Sequence, residues 1–572
     1  MKNLLLKNSM KIFILIITIF RIILSNLISA WYPSSQLYDD NLLITYASLS
    51  SHFTNPNHLS LVKTMSYPIF LRLVHLTGLS YTIVLSIVWI LSAILVVKML
   101  SYITKNKFFL IFVYLFVLFT PSAFESWIGT RLYRNSIIAP FVLILFTIML
   151  IIVFKLLVND EVTAKKIIGI NISLGFVFSF SYYIKEDGIW LLFCLILEVL
   201  VSIGIIIYKC KNKSFVLILT LCLPLLIFIL NTNIYKSINY HYFGVYETNT
   251  RTEGELGKFV NNVYKIYSDN RTAFVWAPYD AIEKAFSASE TLSKYPKLLE
   301  EILNTPWFGD IKQNPIRGDF LTWVLRNALI DTGLWQSEKQ VSDLFHQVNI
   351  ELKNAFANGI LKKDNKIQIL SSAGGRSLIE ILHLKNTIIQ EYKNCIFLDG
   401  YGPGGQFDEN EDYGSSETAT IFTNMNHLNF IGPANNHKMS ELAYGNKIAA
   451  FIFNIYSSIN PIILILSILS LFLMSFMRSL KIKNNLINNY LIITMFILAG
   501  ISFAYSLGIG WFSEYIWNYQ AINMVIITKF YGVGLVPIIS LFNIFGLYLF
   551  FALIKEFFIR KKEKLSINLP YS

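Results

Sequence analysis

Two adjacent carboxylates, Asp39 and Asp40, stand shortly beyond the first long apolar block of the chain. An Asp at the head of a helix caps backbone N–H groups, and one is enough for that. Two neighbours repel each other, and such a pair can keep one carboxylate ionised as a general base while the second orients an acceptor or binds a metal. The residue types leave both readings open. Arg131 and Arg134 lie three apart, on one side of a helical turn. Paired guanidinium donors suit a phosphate; the plainer alternative is anchorage to lipid headgroups. Glu125 is close enough in sequence to pair with one of them. Lys529 could add a further phosphate contact, with Glu514 as its partner. Lys185-Glu186-Asp187 forms a short charged turn, and Glu198 interrupts an apolar block, where an ionisable group is usually paired or functional. His52 and His58 share the loop that carries the two aspartates. Asp39, Asp40 and His52 could therefore complete a divalent-metal site; no other cofactor is implied. Gly402-Pro403-Gly404-Gly405 lacks the strand–helix setting of a phosphate loop and reads as a plain turn.

The elements that must position these residues are apolar helices. Of the 572 residues, 54% are hydrophobic and only 15% charged, with a mean hydropathy of +0.52. Soluble chains carry about 25% charged residues, so a soluble enzyme, a disordered scaffold and a fibrous repeat are excluded. The four cysteines sit mostly in or beside apolar blocks and form neither a disulfide framework nor a zinc motif. The net charge of +12 is unevenly spread: segment 233–447 holds 21 Lys+Arg against 25 Asp+Glu, so the rest of the chain carries +16. That excess lies in short connections between apolar blocks, the mark of a cytoplasmic face. It reflects membrane topology and implies no nucleic-acid partner.

A membrane span needs about 20 mostly apolar residues. Ten stretches qualify: 12–30, 81–100, 108–120, 137–158, 167–183, 189–208, 215–231, 448–477, 487–507 and 531–554. The loop 31–80, the short turns 121–136 and 185–188 and the long segment 233–447 are then non-cytoplasmic. Stretch 108–120 is short and extends naturally to residue 123, while 59–78 carries Lys63 and Arg72 and reads as interfacial or re-entrant. An extra pair of spans there or around 511–524 keeps the parity, giving ten to twelve. The first block lacks a good small-residue cleavage site and reads as a retained helix. Both termini fall on the cytoplasmic side, and the Arg131/Arg134 turn on the other, where positive charge is disfavoured; that argues against simple anchoring. The expected fold is a polytopic α-helical membrane protein with one external α+β domain. Its parts are an N-terminal transmembrane module (1–232), an extracytoplasmic domain (233–447) and a C-terminal transmembrane module (448–572). Within the domain, 320–363 has helical spacing, and 366–370, 395–398 and 418–422 read as strands.

This layout resembles the GT-C superfamily of integral-membrane glycosyltransferases, in which one span is followed by an acidic pair in the first external loop. The stretch Lys63-Thr64-Met65-Ser66-Tyr67-Pro68 is similar to a Lys-x-x-x-Tyr-Pro-like segment found there. The likeness covers mainly the first 230 residues. It implies inverting transfer from a polyprenyl-phosphate-linked sugar to a glycan, lipid or protein acceptor. It also implies Asp39 or Asp40 as catalytic base, with Asp40 slightly favoured, and Arg131, Arg134 and Lys529 on the donor phosphate. Lys63, Tyr67, Lys185, Glu186 and Asp187 would then line the sugar and acceptor site. The setting would be a plasma membrane, and the abundance of Ile, Asn and Lys points to an AT-rich, bacterial genome. Two rivals remain. One is a polysaccharide polymerase or O-antigen-ligase-like enzyme using Arg376 and His346; the other is a lipid-linked glycan transporter, which would want internal symmetry and midplane charges.

Overall fold

A computed structural model describes residues 2–28, 30–31, 39–47, 49–159, 162–209, 215–403, 436–479, 486–520 and 523–567. Among them, eight helices are long and apolar enough to cross a membrane, as a multi-pass membrane protein requires. They are carried by α5 (Tyr81–Leu100), α7 (Asn135–Val158), α8 (Ala164–Tyr182), α9 (Ile189–Lys209), α10 (Phe215–Phe243), α19 (Asn436–Ser479), α20 (Leu486–Gln520), and α21 (Met524–Tyr531) running into α22 (Leu535–Ile567). The other two expected spans fall on α1 (Lys2–Asn26) and on α6 (Lys107–Leu118). Twelve residues of helix are too few for a full crossing, and α6 gives way to a 3-10 turn at Pro121–Ala123. Among the described residues no extra pair of spans forms around 511–524: α20 continues unbroken to Gln520 and α21 begins at Met524.

The sequence of α7 explains its place. It is apolar on every side, and a helix hydrophobic all round belongs inside a bundle; almost all of it is buried, with α5, α8, α9 and α22 packed around it. Small residues let neighbours close in. A Cβ at Gly546 of α22 would fall 2.2 Å from the Ser467 side chain of α19, and Ser467 Oγ donates to the Asn543 carbonyl at 3.1 Å. On α1, Ile12, Ile16, Ile19 and Ile23 are exposed along one side while Arg21, Leu24 and Ser25 are buried.

Between α1 and α5 lie α2 (Asp39–Ala47), α3 (Leu49–Thr54) and α4 (Ser66–Thr77). Segment 59–78 thus holds a short helix, and Tyr67, Phe70, Leu71 and Val74 bury its inner side. The polar region after α10 is helical: α11 (Gly254–Lys265), α12 (Tyr279–Ser287), α13 (Glu290–Ser293), α14 (Pro296–Leu303), α15 (Leu321–Asp331), α16 (Glu338–Ala357), α17 (Leu378–His383) and α18 (Lys385–Ile396). The helical spacing of 320–363 reappears as α15 and α16. The strand expectations need correction. The described sheet is one antiparallel pair, Asn304–Thr305 with Gly309–Asp310. Segment 366–370 contributes a single bridge, Ile367 to Arg376, and 395–398 begins inside α18. A short apolar run fits a buried helix end as well as a strand, and the helix of 385–396 absorbs it. Segment 418–422 lies outside the described residues. The core of this region includes Trp276, Phe345 and Leu352, and it continues into Trp511, Tyr515 and Ile516 of α20.

Candidate functional site

Helix α2 opens on the acidic pair, so both carboxylates sit at the positive end of its dipole. Their surroundings differ. Asp40 is fully buried and takes both arms of Arg131: Nε at 2.8 Å and Nη2 at 2.6 Å. Arg131 ends a π-helical turn, Ser126–Thr130, and stands over the rings of Trp127 and Phe530, each about 5.0 Å away. The Trp31 carbonyl accepts from Leu132 N–H at 2.7 Å, tying the end of the first helix to the same turn. Asp39 keeps 34% of its side chain accessible. Its Oδ2 accepts from buried Lys63 Nζ at 2.5 Å and from Tyr133 Oη at 3.2 Å. Burial pushes the Asp39 carboxyl up, but Lys63, Arg134 and Arg251 outweigh it and hold the group below the ordinary carboxylate range.

The network continues outward. Arg134 Nε donates to Tyr133 Oη at 3.0 Å, and its Nη1 reaches both Glu186 oxygens at 2.8 and 2.7 Å. Glu186 is held below the carboxylate range: against the cost of burial stand Arg134, Lys63 and Arg251. Arg251, 4.0 Å from Glu186, pairs with Asp319, and Tyr515 of α20 donates to Asp319. Trp323 lies under both Lys63 and Arg251, with the charges 5.2 and 5.7 Å from its ring. Burial brings Lys63 down to about 8, with Asp39 working against the shift. Lys185 comes down to about 8 as well, again through burial, only partly offset by Asp187. Among the described residues its buried Nζ has no hydrogen-bond partner, and it faces the Tyr531 ring at 5.7 Å.

Asp39, Lys63, Arg134 and Glu186 therefore meet in one cluster, with Asp40 and Arg131 behind it. Other candidates lie elsewhere. Lys529 pairs at 2.6 Å with Glu125, not with Glu514, and also donates to the Gly400 carbonyl. Glu125, for its part, binds neither Arg131 nor Arg134 in an ion pair; it caps the π-helical turn through Trp127 and Ile128 N–H. Glu514 pairs with Arg376. Tyr67 is buried beside Tyr81, the two hydroxyls 3.3 Å apart. His52 packs in an aromatic cluster of Tyr46, Phe53 and Phe243, and burial brings it down to about 4. A metal site at Asp39, Asp40 and His52 does not fit: both carboxylates are bonded to cations, and no group of three His, Cys, Asp or Glu among the described residues could hold an ion. Glu198 accepts from Ser202 at 2.8 Å. Arg376 is buried against Trp511, whereas His346 is exposed beside Glu255, so the pair that a ligase-like enzyme would use is not assembled. Gly402 is more than a turn: its carbonyl accepts from Ser126 N–H at 2.9 Å.

Reading the sequence alone missed Arg251, Asp319, Trp323 and Tyr515. They come from three separate stretches of the polar region and α20, and no local spacing links them. No family model matches the chain, and no curated protein or solved structure is similar to it.

Proposed function

We propose that this chain is a membrane glycosyltransferase that moves a sugar from a polyprenyl-phosphate donor to a cell-envelope glycan, lipid or protein acceptor on the extracytoplasmic face. The observation that carries the reading is the difference between two neighbouring carboxylates: Asp40 is sealed against Arg131, while Asp39 is ionised, accessible and aligned by Lys63 and Tyr133. A base must reach its proton, so the role falls to Asp39 and not to Asp40. The acceptor oxygen attacks the anomeric carbon, the carbon–oxygen bond to phosphate breaks, and the configuration inverts. The hydroxyl turns acidic only as the new bond forms, so a carboxylate of low proton affinity can take the proton late. The departing phosphate carries negative charge, and a fixed cation there lowers the barrier. Lys185 suits that task because its buried Nζ has no hydrogen-bond partner among the described residues, while Arg131 and Arg134 hold Asp40 and Glu186 in place. Activation resides in the donor, so no nucleotide is needed at the outer face.

The test uses membranes containing the full chain and a panel of synthetic polyprenyl-phosphate pentoses and hexoses with radiolabelled sugar. Transfer into the envelope fraction should depend on the chain, and Asp39→Asn should lower it by about 10²–10⁴ with the protein level unchanged. A helix cap tolerates Asn about as well as Asp, so an active Asp39→Asn variant would return the aspartate to that structural role and remove the mechanism.

A further inference from the structure

Helices α17 and α18 belong to the polar region, yet they turn apolar side chains outward. On α17, Leu378 is 69%, Ile379 67% and Leu382 70% exposed, and Ile389 of α18 and Phe397 just beyond it are half exposed. Ile389, Lys393 and Phe397 follow one another at four-residue spacing and so share one side of the helix. The opposite side is already packed: Ile381, Leu384 and Ile388 join the core of the polar region. An exposed apolar face of this kind marks a contact with protein or with lipid, and the depth of α18 decides between them.

That depth follows from the membrane helices it leans on. Thr387 lies 3.6 Å from where a Cβ on Gly510 of α20 would stand, and the hydroxyls of Tyr392 and Ser502 are 2.8 Å apart. Near the end of α18, Asn460 of α19 donates to the Cys395 carbonyl at 3.5 Å, and Cys395 packs against Leu535 and Ile539 of α22. Basic residues mark the far border of these three spans, in the connection 478–483 and at Lys555. Measured along the helices from that border, Ser502 is about 22 Å from Ile487, Asn460 about 27 Å from Arg478 and Ile539 about 24 Å from Lys555. A hydrocarbon core is about 30 Å thick. The end of α18 therefore lies just inside the opposite border. Its start, beside Gly510 at about 35 Å, lies among the headgroups. We infer that α17 and α18 form an interfacial element set into one leaflet of the bilayer, with Leu378, Ile379 and Leu382 at headgroup level and Ile389 and Phe397 against the upper acyl chains. Lys393, exposed between those two, suits this depth because its stem can lie along lipid while its amine reaches the phosphates. The inference does not depend on the transfer reaction.

The test places a bimane fluorophore on single cysteines, Leu382→Cys, Phe397→Cys and, for comparison, Lys339→Cys on α16, in a full chain with the native cysteines replaced. The protein sits in nanodiscs of phosphatidylethanolamine and phosphatidylglycerol, where both faces are open to solutes. Quenching is read from a nitroxide on the lipid headgroup, a nitroxide high on the acyl chain, and aqueous iodide. The label at position 397 should lose most of its emission to the acyl-chain nitroxide and little to iodide. The label at position 382 should lose most to the headgroup nitroxide, and the label at position 339 should respond to iodide alone. If Phe397→Cys does not fold, Ile389→Cys reads the same side of α18. In the unaltered chain, a phosphatidylcholine carrying a diazirine on its upper acyl chain should cross-link within 385–397, and absence of that cross-link would overturn the inference. Quenching at positions 382 and 397 by iodide alone would put this side in water and overturn it as well. Quenching there by none of the three probes would mean that a second copy or another protein covers the face, which would equally remove the lipid contact.

Discussion

Asp39 and Asp40 are one peptide bond apart, and the difference between them is set by what reaches each. Removing the charge of Asp40 strands a buried Arg131, and breaking a buried pair from one side costs about 3–5 kcal/mol. Asp40→Asn should therefore lower thermal stability in detergent markedly. Asp39→Asn also strands a buried cation, Lys63, but that amine is already brought down to about 8 and can give up its proton. The loss should then be smaller, while transfer is abolished. Melting curves of the two variants separate structure from chemistry. Lys185 makes a second prediction, through pH. Its folded pKa of about 8 lies below the 10.5 of a free lysine. Between those values the unfolded chain holds the proton that the folded one has lost, so this group makes stability rise with pH. Donor binding should move the other way, because the cation that meets the phosphate is lost above about pH 8. The apparent KM for donor should rise through that range, and Lys185→Arg, which stays charged, should shift the rise to higher pH. A KM profile unchanged by Lys185→Arg would remove Lys185 from the donor.

The π-helical turn Ser126–Thr130 is the element on which the site hangs, since Arg131 ends it and Glu125 caps it. Its position depends on the buried ion pair between Glu125 and Lys529, which links it to α21 and to the Gly400 carbonyl. Either Glu125→Gln or Lys529→Met alone should destabilise the protein by about 3–5 kcal/mol, and the double variant should cost less than the two singles together. A double-variant cycle of unfolding in detergent measures that coupling; additive losses would mean that the pair does not hold the turn. Much of this element was legible beforehand, and its limits are physical. Apolar blocks announced the long helices because their length and composition are local properties. The acidic pair and the Arg131/Arg134 turn stood out because neighbouring charges near apolar blocks are costly. The partners did not stand out. Lys529 meets Glu125 across 404 positions of sequence, and Arg251 meets Asp319 only once the polar region folds. The strand expectation at 395–398 failed for the related reason that four residues carry no usable period.

At the scale of the molecule, the polar region closes over the loop that holds the acidic pair. Trp323 covers Lys63, Arg251 joins Glu186 to Asp319, and Arg326 donates to the His58 carbonyl at 2.5 Å and to the Thr250 carbonyl at 3.0 Å. The site and the region 244–396 must therefore lie on the same side of the membrane. The Lys/Arg-rich connections at 98–107, 165–166, 209–213 and 478–483 alternate with them along the chain, and positive loops stay in the cytoplasm. The region should accordingly be extracytoplasmic. Lys339 offers a direct test: it is 58% exposed on α16 and pairs with Asp343, one turn away, an exposed pair worth about 0.3–0.5 kcal/mol. In a background with the native cysteines replaced, Lys339→Cys should react with a membrane-impermeant maleimide added to intact cells. A Cys placed at Lys105, in a basic connection, should react only after the membrane is opened. The reverse pattern would put the acidic pair in the cytoplasm, where a nucleotide-sugar donor becomes accessible and the lipid-linked donor loses its rationale.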